Sequence, residues 1–409
     1  MKSSHKVFEA QTTDQQRGTP GEVFGAFLKL GLTSFGGPIA HLGYFRDELV
    51  VRRKWIAEDS YADLVALCQF LPGPASSQVG FALGLLRGGP LGAFAAWVAF
   101  TLPSALLLVL FALAATAISG PIGDGLLHGL KLVAVAVVTQ AVWGMAKTIT
   151  PDKQRITIAL GSILIVVFAG TAVGQIAAIA FGAVAGLAFC RNTPLTEVGQ
   201  LSFRVSRKFG VFCLVAFFLL LGGLPIIAST TGSQGVSLFD AFYRSASLVF
   251  GGGHVVLPLL QAQVVTPGWV SNDTFLAGYG AAQAVPGPLF TFAAYLGSVM
   301  GPSPNGLVGA ALALIAIFLP GFLLLLGALP FWDGFRKRPK AQAAMRGANA
   351  AVVGMLGSAL YNPVWTSAVF TPYDFALALA GIVLLISWKV PPFPVVVLMA
   401  VGGILLTLI

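Results

Sequence analysis

The chain has 409 residues, 56% of them hydrophobic and only 10% charged, with a net charge of +9. A soluble domain carries about 25% charged residues, so the composition excludes a water-soluble globular protein. In a membrane protein the positive excess marks cytoplasmic loops, not a nucleic-acid partner.

The opening residues are polar and lack an apolar h-region, which predicts a cytoplasmic tail over 1–22 and no cleavable signal peptide. Apolar stretches of roughly 18 residues or more then recur, each long enough to cross a bilayer. The candidate membrane segments of the first half are 24–44, 61–86, 90–118, 126–148, 155–170 and 173–190. A basic stretch from Arg191 to Lys208 and one unpaired apolar segment, 209–228, follow. The second half has segments at 238–262, 274–300, 306–330, 341–360, 374–388 and 393–409. The expected organisation is a tail (1–22), a first repeat (23–190), a linker with the unpaired helix (191–236) and a second repeat (237–409).

The two halves carry the same marks. Residues Phe27 to Pro103 read F-L-K-L…S-F-G-G-P…W…D…Q-F-L-P-G-P, and Phe242 to Pro320 read F-Y-R-S…V-F-G-G-G-H…W…D…Q-A-V-P-G-P. Phe27 aligns with Phe242, Lys29 with Arg244, and Phe35-Gly36-Gly37 with Phe250-Gly251-Gly252. Trp55 aligns with Trp269, Gln69 with Gln283, and Pro72-Gly73-Pro74 with Pro286-Gly287-Pro288. Lys131 falls opposite Asn349. A single odd crossing between like halves inverts the second against the first, so the expected fold is an all-α polytopic membrane protein built as an inverted repeat with broken or re-entrant helices.

With a cytoplasmic N-terminus, the clusters Lys147/Lys153/Arg155, Arg191/Arg204/Arg207/Lys208 and Arg336/Lys337/Arg338/Lys340 all fall inside, as the positive-inside rule asks. The loop with Arg46, Arg52, Arg53 and Lys54 obeys the rule only if 24–44 and 61–86 are re-entrant hairpins. The alternative is an external loop offset by Asp47, Glu48, Glu58 and Asp59.

Non-helical backbone at membrane depth survives where protein buries it or where it lines a cavity. Gly-Gly-Pro38, Pro-Gly-Pro74 and Pro-Gly-Pro288 read as helix restarts with proline near the first position. A helix start presents free N–H groups and partial positive charge, which suits an anion. Matched cations at membrane depth are costly and point to use. The candidate anion contacts are Lys29, Ser34, Gly36, Gly37, Gln69, Pro72, Gly73, Pro74 and Ser76 in the first half. In the second they are Arg244, Gly251, Gly252, His254, Gln283, Pro286, Gly287, Pro288 and Thr291. His41 reads as a hydrogen-bonded structural residue, and Asp63, Asp240 and Asp273 as helix caps. Cys68, Cys190 and Cys213 lack metal-ligand spacing and read as small buried hydrophobes. No dinucleotide, P-loop, zinc or nucleophile–base pattern is present, so no cofactor, metal or enzymatic activity is expected.

The half-repeat F-x-K-x-G-x-T-S-F-G-G-P, then Q-F-L-P-G-P, then G-G-P-L-G before a long apolar segment, resembles the chromate ion transporter family in its two-domain long form, over essentially the whole chain. The second copy departs from it: Gly253 stands in place of Pro38, and Ser303-Pro304 in place of Gly89-Pro90. The resemblance implies a multi-pass bacterial inner-membrane protein that exports chromate and confers resistance, with sulfate as the look-alike anion. Sulfate uptake, chromate/sulfate exchange and an oxyanion channel are the alternatives. A homodimer is one assembly such a chain could adopt.

Overall fold

The computed structural model describes residues 18–35, 37–117, 120–169, 172–190, 203, 205–249, 255–335 and 338–408. These are helical almost throughout. Helix α1 (Pro20–Thr33) starts where Thr19 accepts from the Glu22 N–H, with Pro20 at its first position, as an N-cap and a missing N–H dictate. The chain turns at Gly37, whose φ is 80°, into α2 (Gly37–Phe45) and a π-helical turn, Arg46–Arg52. α2 doubles back: Phe27 meets Phe45 edge-on, and Lys29 meets Glu48. α3 (Glu58–Phe70) and α4 (Ala75–Ala117) flank the first Pro-Gly-Pro loop. α4 is not one rod. Gly89 has φ 67° and ψ −160°, and the chain reverses there. Gly84 then lies against the Gly92 carbonyl with no room for a Cβ.

α5 (Pro121–Ile149), α6 (Lys153–Ala169) and α7 (Ala172–Phe189) complete the first half, and α8 (Arg207–Thr231) joins it to the second. The second half repeats the order with α9 (Gln234–Ser247), α10 (Val256–Val264), α11 (Asn272–Ala282), α12 (Phe292–Val299) and α13 (Gly306–Ala328). The short α14 (Trp332–Phe335) leads to α15 (Pro339–Ala359), α16 (Pro372–Ile386) and α17 (Pro392–Leu408). Four stretches are long and apolar enough to cross a bilayer: Ala75–Ala114, Pro121–Ile149, Arg207–Thr231 and Gly306–Phe331. The first of these is divided into two arms at Gly89. α8 turns Phe212, Phe218, Leu219 and Ile226 outward, a patch that water would penalise and lipid would not. This is an all-α polytopic membrane protein.

The segments 24–44, 61–86, 238–262 and 274–300 are not continuous helices. In 24–44, 61–86 and 274–300 the helices part at the glycine or proline mark, because proline removes an i−4 hydrogen bond and glycine permits the turn; in 238–262 one helix ends at Ser247 and the next begins at Val256. The bases of the first pair of helix turns lie together: Arg87 bonds Glu22 at 3.1 Å, and Arg53 and Arg87 both sit over the Trp55 ring. In the second half the Gly301 N–H donates to the Trp269 carbonyl at 3.0 Å, and Gly235 abuts Pro304.

The halves assemble by exchange. α5 packs on α16 and α17 of the second half, and α15 packs on α6 and α7 of the first. The seams correspond residue for residue. Gly129 lies against Met399 and Ala400, and Gly347 against Gly182 and Gly186. Small residues let the backbones approach this closely in the absence of water.

Candidate functional site

The four helix breaks meet crosswise. The Gly73 N–H donates to the Val249 carbonyl at 2.8 Å, and the Gly287 N–H donates to the Ser34 carbonyl at 2.8 Å. Val249 and Ser34 are equivalent positions, as are the two glycines, so each Pro-Gly-Pro loop closes on the first break of the opposite half. Each loop also seats on the proline-bearing helix opposite. A Cβ on Gly73 would come 3.1 Å from the Gly321 Cα, and one on Gly287 would strike the Ser104 hydroxyl. Both glycines are left-handed, at φ 117° and 100°. Side chains tie the loops down further. Gln78 Nε2 donates to the Pro72 and Gly321 carbonyls at 3.1 and 2.9 Å, and Ser104 Oγ donates to the Pro286 carbonyl at 2.5 Å.

Around this crossing lies a buried polar cluster. Ser34, His41, Ser76, Ser77, Gln78, Thr101 and Ser104 are each 3% exposed or less. His41 Nδ1 is 3.4 Å from Ser76 Oγ, and the ring stands edge-on to Phe100. Ser34 Oγ, His41 Nε2, Ser77 Oγ, Gln78 Oε1 and Thr101 Oγ1 have no protein partner. A buried polar atom without a hydrogen bond costs about 1–3 kcal/mol, so a cluster of five calls for a ligand or water to repay it. The starts of α2 and α4 both belong to this region, adding unspent N–H groups and partial positive charge. None of the seven is a carboxylate. The Ser34, Ser77 and Thr101 hydroxyls and the His41 ring suit an anion taken up by neutral donors, whereas Gln78 Oε1 is an acceptor and calls for water or a neighbouring hydroxyl.

The cluster belongs to one half. At the equivalent positions the second half has Val249 for Ser34, a valine for His41, Phe290 for Ser76, Phe292 for Gln78 and Phe318 for Thr101. Thr291, opposite Ser77, spends its hydroxyl on the Pro288 carbonyl at 2.7 Å. The backbone crossing is therefore two-fold, while the polar lining is single.

Among the sequence candidates, Ser34, Gly37, Pro72, Gly73, Pro74, Ser76, Pro286, Gly287, Pro288 and Thr291 fall in or beside the crossing. Gln69 is exposed, and Gln283 Nε2 turns back to the Tyr279 carbonyl at 3.4 Å. Gly36, Gly251, Gly252 and His254 lie outside the described residues. The two cations are already held. Lys29 bonds Glu48 at 3.0 Å and Arg244 bonds Asp240. Glu48 also accepts from Arg53 at 2.8 Å and from Arg52 at 3.0 Å. Burial works against its charge, but Arg53 and Lys29 outweigh burial and hold the carboxyl below its ordinary range. The three aspartates read as caps do other work. Asp63 accepts from Trp332 Nε1, Asp240 holds Arg244, and Asp273 pairs with Lys131; Ser271 supplies the α11 cap instead. His41, Gln78, Thr101 and Ser104 were not among the candidates. Their signal was polarity in an apolar segment where the aligned residue of the other half is apolar. Among the described residues no group of three or more His, Cys, Asp or Glu could hold a metal ion.

The sequence profile of the family described as "Chromate transporter" matches residues 21–187 and again 236–406. A probable chromate transport protein of Synechococcus elongatus is 28% identical, with 93% of each chain covered. A chromate transport protein of Pseudomonas aeruginosa is 28% identical over 93% of this chain and 90% of its own. An uncharacterized transporter of Methanocaldococcus jannaschii is 27% identical over 79% of both chains. No solved structure matches.

Proposed function

The chain belongs to the chromate transporter family, and from that premise we propose that it carries chromate out of the cytoplasm across the bacterial inner membrane. The observation that carries this reading is the carboxylate-free set of unpartnered buried hydroxyl and imidazole groups at the loop crossing, from Ser34, Ser77, Thr101 and His41. Chromate is a tetrahedral dianion with acceptor oxygens on every side, so it can satisfy hydroxyl, imidazole and backbone donors together. In a low-dielectric site such donors act more strongly than in water. Sulfate has the same shape and charge and is expected to compete. A cell interior negative by ~100 mV drives each negative charge outward by about 2.3 kcal/mol, so a dianion leaves without another energy source until its gradient opposes it.

In the topology we propose, the N-terminus is cytoplasmic and the two halves are inverted. The broken segments form re-entrant hairpins, two from each face. The end of α13 gives this reading its support. That helix starts beside the second-half bases, since Pro304 lies at Gly235, and ends at α14, where Trp332 bonds Asp63 of α3. Its 23 residues span about 34 Å, close to the thickness of the hydrocarbon core. The basic Arg46–Lys54 loop then returns to the cytoplasmic side.

Purified protein in proteoliposomes tests the function. Chromate efflux that follows an imposed potential and is inhibited by sulfate is the expected result. Trans-stimulation by sulfate on the opposite side would assign exchange instead. Absence of flux for both anions in well-inserted protein would refute the reading.

A further inference from the structure

The exchange relation between the halves holds at the loop crossing and at the glycine seams, and it breaks at α11 and α3. α11 lies along α5, with Gly280 so close to the Leu130 carbonyl that no Cβ fits between them. At the mouth of that contact Lys131 Nζ meets Asp273 Oδ1 at 3.2 Å. The equivalent helix α3 has no comparable packing on α15 among the described residues. It is held toward α14 by the Trp332–Asp63 hydrogen bond of 3.1 Å. The position of Lys131 is taken by Asn349, whose Oδ1 is buried without a partner, and the position of Asp273 by the exposed Asp59. A half whose docking partner stands away would leave just such an orphan.

The ion pair is built unevenly. The Lys131 side chain is 12% exposed and that of Asp273 is 73% exposed. The lysine is thus fixed in α5, while the carboxylate can swing into water at little cost. Beyond the pair opens a cavity of about 530 Å³, lined by Asp124, His128, Lys131, Asp273 and Tyr295 among others. His128 Nε2 is already taken by Asp374 at 2.6 Å. With Asp124 and Asp273 facing Lys131, this lining does not suit a resting place for a dianion. It suits a vestibule outside a shut gate.

We propose that Lys131–Asp273 latches one gate of the transport path, and that this structure has that gate shut and the α3–α15 gate undocked. Transport alternates as α11 leaves α5 and α3 docks on α15 in the mirrored way. The inference rests on the transport reading above. The second gate closes with different chemistry, because Asn349 replaces the lysine, and Ala66 and Ala348 replace Gly280 and Leu130. The first gate therefore holds by an ion pair and a close glycine seat, the second by a carboxylate–amide contact beside small side chains.

The test uses the full chain in membranes, with Cys68, Cys190 and Cys213 replaced. One pair of cysteines is Lys131→Cys with Asp273→Cys, and the other is Asp59→Cys with Asn349→Cys. Each pair should cross-link, and a protein carrying all four should never form both bonds in one molecule. With the latch residues otherwise native, Lys131→Ala should raise the rate of Asp59–Asn349 cross-linking severalfold. The reversal Lys131→Asp with Asp273→Lys should recover the chromate flux that either single change lowers. An Asp59–Asn349 pair that never cross-links while the other pair does, or two bonds formed together, would overturn the proposal. Cross-linking is read without flux. Alternating bonds with no movement of chromate would keep the gate and reject the transport reading, and flux without alternation would do the reverse.

Discussion

Thr101 and Ser77 present hydroxyls that nothing in the protein satisfies, whereas Thr291, the repeat partner of Ser77, has already bonded Pro288. A hydrogen bond to a charged group is worth about 1.5–3 kcal/mol, which is roughly ten- to a hundredfold in affinity. Thr101→Val and Ser77→Ala keep the shape and remove one donor each. Both should raise the KM for chromate about tenfold or more, while Thr291→Val leaves it unchanged. Equal effects at all three positions in a flux assay would place the anion elsewhere. The loop glycines fail for another reason. Gly73→Ala and Gly287→Ala combine a left-handed φ with a neighbour in the way. They should lower the yield of monodisperse, membrane-extracted protein on size-exclusion chromatography. Gly222→Ala, in α8 with nothing within 4 Å, should not.

At the scale of elements, the first turn of backbone after α2 is organised by one carboxylate. Glu48, on the π-helical turn, holds Lys29 of α1 together with Arg52 and Arg53. Its pKa is depressed by Arg53 and Lys29 against the effect of burial. The contribution is therefore complete above the ordinary carboxyl value, near 4.3, and is lost as pH falls through the lower folded value. Glu48→Gln leaves three cations without their shared partner. It should lower the melting temperature at pH 7 and flatten the loss of stability that the native protein suffers on acidification below about pH 4. Parallel acid melting curves for the two proteins would argue that the hub is dispensable. Lys29 is tied through Glu48 to the hairpin that follows α1.

For the whole molecule, the arrangement turns on where the two sets of hairpin bases lie. In the proposed topology Arg52 faces the cytoplasm and Ser271 the outside. Both are exposed. In a cysteine-free background Ser271→Cys should react with an impermeant reagent added to intact cells, and Arg52→Cys only after lysis. Labelling of both from the same side would sink the inverted arrangement.

The repeat, the apolar segments and the places where they break could all be read from the sequence, because each depends on local chemistry. Run length sets a membrane helix, glycine and proline set the interruption, and an aligned motif sets the internal repeat. Ser34, Ser76 and the Pro-Gly-Pro loops were reachable for the same reason. What the loops do was not. That the Gly73 and Gly287 N–H groups are spent on the opposite half follows from contacts between residues far apart in the chain. The capture of Lys29 by Glu48 depends likewise on the chain doubling back at Gly37, whereas Arg244 pairs with Asp240 one turn away on its own helix, a local contact. Tertiary structure alone decided that the polar lining is gathered from α1, α2 and both arms of α4, because a hydroxyl in an apolar segment has no function until its neighbours leave it unpaired.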